Sequence, residues 1–263
     1  MTAVPTALAP YVTSLEAYDV AMGAPGMHRG LPTTSLTFVL PMGEPLDVGW
    51  LDGHARAKRW STVSGLYAGP AAIHHDGVQR GIQLGLTTAG ARALLGVPAA
   101  VLAGELLEVA DVAPDLAHLP ERLHGLALAD GLAVVARALV AALARRGAAG
   151  PRAEVGRALA ALTRGDKVAA VADEVGYSRR RLSTLVRQET GLAPKEYQRV
   201  ARFEASRRQL GHRPLAEVAA DCGYADQGHL ARDWSELAGC TPTTWLREEF
   251  PFVQDHEDAH PPP

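Results

Sequence analysis

The chain repeats one phrase near its end, and that repeat limits its architecture more than any other feature. Val168-Ala-Ala-Val-Ala-Asp-Glu-Val-Gly176-Tyr177 returns as Leu215-Ala-Glu-Val-Ala-Ala-Asp-Cys-Gly223-Tyr224. Each copy continues into a polar, helix-forming stretch and a second turn, Gly191-Leu-Ala-Pro194 in the first and Gly239-Cys-Thr-Pro242 in the second. Two copies are too few to stack as a solenoid. Two copies of helix, glycine turn and helix predict a tandem helix-turn-helix.

Spacing within each copy supports this reading. Val168, Val171, Ala172 and Val175 recur at helical intervals and form one buried stripe. Gly176 follows, where a left-handed cap costs glycine least. Ser178 is placed to cap the next helix, which is expected to run to about Glu189 with Leu182, Leu185 and Val186 inward. In the second copy Leu215, Val218, Ala219 and Cys222 form the stripe and Gly223 the cap. Asp226 then starts a helix whose inner face is Leu230, Trp234 and Leu237. Arg179, Arg180, Ser183, Thr184 and Arg187 project from the first polar helix. Gln227, Gly228, His229, Ala231 and Arg232 project from the second.

With these residues in view, the stretch from about 152 to 250 resembles the AraC/XylS DNA-binding domain. The first module carries the likeness in Val171-Ala172, Gly176-Tyr177-Ser178, Arg180, Leu182, Gly191, Pro194 and Tyr197. The second carries it in Leu215, Val218-Ala219, Cys222-Gly223-Tyr224, Asp226-Gln227, His229-Leu230, Arg232, Gly239, Pro242 and Trp245. Val186 and Trp234 stand where that pattern usually has phenylalanine, and Gly228 where serine or alanine is common. The resemblance implies two reading helices in successive major-groove segments of double-stranded promoter or operator DNA, about one turn apart. By position it places Arg180, Ser183 and Thr184 at base edges and Arg179, Arg181 and Arg187 at phosphates. Gln227, His229 and Arg232 would supply base contacts from the second module, glutamine suiting adenine and arginine guanine. From Pro194 to about Leu210 one connecting helix is expected, apolar at Tyr197, Val200, Ala201, Phe203 and Leu210 and charged at Lys195, Arg199, Arg202, Arg207 and Arg208.

A net charge of −3 looks wrong for a DNA binder until the chain is divided. Residues 1–150 carry 10 basic and 12 acidic side chains, residues 151–213 carry 14 and 7, and residues 214–263 carry 2 and 10. The positive field therefore lies in the first module and the connector, as phosphate contact requires. The second module either adds a few base-edge contacts or presents a protein-facing surface.

The amino-terminal part reads differently. Leu36-Thr-Phe-Val-Leu40 is β-prone and Ile82-Gln-Leu-Gly-Leu86 alternates, with glycine and proline turns between such segments. Short punctuated strands predict a small β-barrel or jelly roll. The region resembles the cupin-like sensory domains that precede this DNA-binding module in actinobacterial-type regulators, on His28-Arg29-Gly30-Leu31-Pro32 and His74-His75-Asp76-Gly77. A small-molecule effector pocket is expected inside it, with His28, Arg29 and Gln83 as lining candidates. The histidines do not follow a metal-cupin spacing, and adjacent His74 and His75 would point to opposite strand faces, so no metal and no cofactor are expected. No nucleophile–base pair, phosphate loop or carboxylate pair is legible, so no catalytic residue is assigned.

From Thr87 to Arg146 helices are expected: one over Thr87–Leu95, one through Leu107, and a long one from about Pro120 to Arg146. In the last, Leu132, Val135, Leu139 and Ala142 fit either a two-heptad dimer seam or packing against the barrel. The fold class is then α+β: a β-barrel or jelly-roll-like domain with appended helices, and an all-α tandem helix-turn-helix domain. The expected divisions are a sensory or dimerisation domain over 1–146, a linker over 147–151, the DNA-binding domain over 152–250 and a disordered acidic, proline-rich tail over 251–263. No apolar run matches a membrane span and no signal peptide is legible. The two cysteines, Cys222 and Cys240, predict no disulfide framework, and the cytoplasm is the expected compartment. The function implied is a sequence-specific transcriptional regulator controlled through its amino-terminal half. The alternative is a constitutive DNA binder whose amino-terminal half only dimerises. A homodimer and contact with RNA polymerase stay open.

Overall fold

The computed structural model describes residues 4–147 and 152–248. The expected linker, apart from Gly147, and the expected tail lie outside the described residues. Nine strands lead the chain: β1 (Val12–Ala21), β2 (Gly26–Gly30), β3 (Leu36–Pro41), β4 (Leu46–Trp50), β5 (Ala57–Arg59), β6 (Thr62–Ser64), β7 (Ala71–His75), β8 (Val78–Leu86) and β9 (Leu106–Leu107). They form a five-stranded sheet in the order β1-β8-β3-β6-β9 and a four-stranded sheet in the order β2-β7-β4-β5. Every pairing is antiparallel.

The five-stranded sheet is buried on both faces, which explains the nearly continuous apolar run of β3. Leu36, Phe38 and Leu40 join Ile82, Leu84 and Leu86 in one large cluster under the helices. The other face brings Tyr18, Val39 and Leu106 against Leu46, Val48, Trp50 and Ala71 of the second sheet. This double-sheet arrangement with helices appended, followed by an all-helical half, is the α+β class expected.

The helices between the two halves depart from the sequence reading. The first expected helix is a single turn, α1 (Thr88–Gly90), passing into a π-helical turn at Ala91–Leu95. The expected second helix is a 3-10 turn at Ala99–Leu102 followed by β9. Leu106 and Leu107 pair with Ser64 and Val63, so a long-range ladder overrides their local helix preference. After α2 (Val109–Val112) the expected long helix is two, α3 (Leu119–Leu123) and α4 (Leu128–Arg146). The break falls at Gly125, whose φ of +73° glycine tolerates best. Leu132, Val135, Leu139 and Ala142 are all buried within the chain, in the cluster that covers the five-stranded sheet. Packing against the barrel therefore accounts for their spacing.

Helices α5 (Ala153–Thr163), α6 (Val168–Glu174), α7 (Arg179–Thr190), α8 (Pro194–Arg207), α9 (Leu215–Asp221), α10 (Gln227–Ala238) and α11 (Pro242–Glu248) complete the chain. Each repeat forms as its sequence demands. Gly176 and Gly223 adopt φ of +73° and +74° after α6 and α9. The Ser178 hydroxyl accepts from the Arg181 amide at 3.2 Å, and the Asp226 carboxylate from the His229 amide at 2.6 Å. Val171, Ala172, Leu182 and Val186 are buried in the first module, and Val218, Ala219, Leu230 and Trp234 in the second.

Candidate nucleic-acid interface and the cavity behind it

α7 and α10 are the polar helices of the two modules. On α7, Arg179, Arg180, Arg181, Thr184 and Arg187 are exposed and Ser183 is half-buried. None of these arginines has a carboxylate partner among the described residues. They form an uncompensated cationic face. On α10, Gln227 and Arg232 are exposed and His229 is half-buried, its ring edge-on to Tyr224. The sequence-predicted positions thus fall on the outer faces of two capped helices.

The connector α8 joins the modules and carries charge on opposite sides. One side holds Arg199 and Arg202. Arg199 pairs with Asp233 and Glu236 of α10, and Arg202 reaches Asp233 at 3.3 Å while stacking over the Tyr224 ring at 4.5 Å. The other side holds Glu204, Arg207 and Arg208, which face the amino-terminal half. There the Glu204 carboxylate accepts from the Thr34 amide at 3.0 Å and the Thr34 hydroxyl at 2.8 Å.

Those residues close a cavity of about 250 Å³ between the two sheets and α8. Its walls combine hydroxyls such as Thr34, Thr37 and Thr62 with Val48, Trp50 and Tyr67. The Trp50 indole donates to the Gly104 carbonyl at 2.8 Å, which fixes the ring at the wall. The Thr62 hydroxyl is buried with no hydrogen-bond partner among the described residues. Of the three lining candidates read from the sequence, only Gln83 lines this space. His28 instead is buried in β2 beside His75, ring centroids 5.8 Å apart. Burial and the neighbouring His75 lower its pKa to about 4, so at neutral pH it is an uncharged packed imidazole. Arg29 leaves the barrel and meets Glu248 of α11 at 3.3 Å.

Sequence reasoning missed Glu204, Arg207 and Arg208 as cavity residues. Their i, i+3, i+4 spacing does announce a common helix face. It does not announce what that face meets.

Further contacts tie the halves together at matching places. Gly191 caps α7 with φ of +82°, and a Cβ there would lie 2.1 Å from the Ala103 Cβ. Gly239 caps α10 with φ of +70°, and a Cβ there would lie 2.6 Å from a Leu51 methyl. The turn glycines Gly176 and Gly223 face open space instead. So the carboxy-terminal end of each candidate reading helix sits directly on the amino-terminal domain. Glu189, in the last turn of α7, is 5% exposed and accepts from Arg92 at 2.8 Å and 3.3 Å.

Among the described residues no cluster of three or more metal-ligating side chains occurs, and no helix is long and apolar enough to cross a membrane.

Two capped helix-turn-helix modules on one connector, behind a two-sheet domain, define the class: a two-domain helix-turn-helix protein. Residues 153–248 match the family described as a helix-turn-helix domain. Over those residues the chain carries an AraC-type helix-turn-helix domain. No curated relative matches the sequence. Among solved structures, ToxT from Vibrio cholerae is similar at a TM-score of 0.55 and 11% identity, over 89% of this chain and 98% of that one. ToxT from strain SCE256 with an unsaturated fatty acid bound is similar at 0.53 and 10%, over 97% and 100%. At these identities the likeness speaks for the two-domain fold. The DNA-binding domain of AdpA, solved with a target DNA, shares 28% identity over 39% of this chain and 98% of that one, at a TM-score of 0.34.

Proposed function

We propose that this regulator reads promoter DNA with α7 and α10 and that a small molecule in the cavity controls how it does so. In this reading Arg180, Ser183 and Thr184 face base edges, and Arg179, Arg181 and Arg187 hold phosphates. Gln227, His229 and Arg232 supply the second contact. The observation that carries the control is the docking of both end-cap glycines, Gly191 and Gly239, on the domain that encloses the cavity. The position of each reading helix is then tied to the packing of that domain.

The cavity roof gives the coupling a route. Glu204, Arg207 and Arg208 belong to the connector, so a ligand that engages them competes with or reinforces the Thr34–Glu204 contact. Differential affinity for the two arrangements supplies the energy of the switch. One solved protein of this fold carries an unsaturated fatty acid, which supports a small-molecule role for the architecture. The space here, about 250 Å³, lies below the ~300–1,000 Å³ of drug-sized ligand sites. Its unpartnered Thr62 hydroxyl and mixed lining favour a compact ligand with a hydrogen-bonding group and an apolar body.

The test is a salt titration of the full chain on the DNA upstream of its own gene, beside a scrambled duplex. Sequence preference with a steep salt slope is the expected result. Repeating it with the Thr34→Val and Glu204→Gln variants of the full chain examines control. If all three proteins bind every duplex identically, with and without cell extract, the amino-terminal half does not regulate.

A further inference from the structure

Between α8 and α10 runs an open groove lined by Lys195, Gln198, Arg199, Arg202, His229, Arg232, Asp233 and Glu236. We infer that this groove is a DNA-phosphate site that the protein itself occupies, when free of DNA, with the Glu236 carboxylate. The inference rests on the DNA-binding reading and adds a site to it.

The groove is cationic by composition, with four basic side chains against two carboxylates. The two carboxylates differ. Asp233 is 6% exposed and holds both Arg199 and Arg202 from within the fold. Removing it would strand buried charge, so it belongs to the scaffold. Glu236 is the opposite case: its side chain is 68% exposed, and it covers only the outer edge of the Arg199 guanidinium. An exposed pair of this kind is held weakly. A phosphate offers the same fork of oxygens to that edge and brings full charge-assisted hydrogen bonding.

Neighbouring groups favour the exchange. Lys195 and Arg232 border the groove, are exposed, and have no carboxylate partner among the described residues. Arg202 stays pinned between Asp233 and the Tyr224 ring, so Arg199 is the arginine whose partner can change. Two walls of the groove, His229 and Arg232, lie on the candidate reading helix. A DNA strand followed by that helix therefore passes the groove mouth. Glu236 acts there as an internal competitor: it lowers affinity for any duplex and leaves base readout untouched.

The experiment is a set of salt titrations of the full chain on a scrambled duplex, comparing wild type with E236Q, R199A, K195A and the R199A/E236Q double variant. E217Q serves as the control, because Glu217 is exposed on α9 and pairs with Arg213 away from the groove. E236Q should tighten binding about two- to five-fold, the scale of an exposed ion pair. R199A and K195A should each lower the salt slope by roughly one unit. In the R199A background E236Q should add nothing. Equal tightening by E217Q and E236Q would reduce the effect to bulk charge and overturn the site. So would an unchanged slope in both R199A and K195A while the wild type binds steeply. A wild type without any salt-dependent binding would instead remove the DNA-binding reading itself. E236Q changes an exposed side chain, so its outcome does not depend on a variant that fails to fold.

Discussion

The two helix-turn-helix modules share a backbone plan and differ in almost everything attached to it. Both turn at a left-handed glycine, both cap the reading helix with a side chain, and both end it on a second glycine against the amino-terminal domain. The first module has no core of its own: Val155, Leu162, Val171, Leu182 and Val186 belong to the same cluster as Phe38, Ile82 and Leu84 of the sheet. The second has a separate core of Phe203, Tyr224, Leu230, Trp234, Leu237 and Trp245, to which the barrel adds Leu31. Charge follows the same division. The first module leaves its reading-face arginines bare, while the second covers connector arginines with Asp233 and Glu236. One module is built into the amino-terminal body and leaves its arginines bare. The other has a core distinct from that of the sheet, meets the barrel through Leu31, Gly239 and Arg29, and holds its connector arginines in ion pairs.

The sharpest test of that difference is Trp234→Ala. Trp234 is fully buried against Phe203 and Trp245, and its loss should cost about 3–5 kcal/mol. Chemical denaturation should then show the second module melting first, with the sheet and α7 retained. A single transition shifted for the whole chain would break the claim of separate cores.

Acid should act next. The folded-state pKa of His28, near 4, lies below the ordinary value of 6.5, so protonation disfavours the fold. Stability is complete above pH 6.5 and is lost as pH falls from there towards 4, by about 3 kcal/mol at most. β2 also carries Arg29, which meets Glu248, and leads into Leu31 of the second core. Proteolysis at pH 5 should therefore release the second module before the first. The His28→Gln variant should flatten this pH dependence, and an unchanged profile would remove His28 as its source.

The glycines give a smaller, internally controlled effect. Alanine at Gly176 or Gly223 must accept a positive φ, at about 1–2 kcal/mol each. Alanine at Gly191 or Gly239 meets that cost and also collides with Ala103 or Leu51. Thermal melting should rank the second pair below the first. Equal melting within each module would mean that the domain contacts yield freely.

The smallest change is a slope. Arg187→Ala should lower the salt dependence of DNA binding by about one unit. Arg213→Ala should leave it unchanged, because Arg213 lies off both polar helices and outside the α8–α10 groove, paired with Glu217 and Asp221. Equal slopes for both would dissolve the electrostatic contrast.

Much of the carboxy-terminal half was legible because its determinants are local. A cap, a left-handed glycine and apolar residues three and four apart act within one or two turns, so a single stretch of sequence contains the whole argument. The same locality let the outward positions of α7 and α10 be named. It failed between Thr87 and Leu107, where pairing with β6 turned an apparent helix into strand β9. It failed again for the cavity, where two of three lining candidates lie elsewhere.

The sequence alone determined that two helix-turn-helix modules exist, where they turn, and that the positive charge gathers around the first. Only the tertiary structure decided which charges remain available and what the connector faces. Thr34 meets Glu204 and Arg92 meets Glu189 across stretches of chain whose local patterns are independent of one another. Such pairings depend on how the two halves pack, and no periodicity within either half encodes the partner.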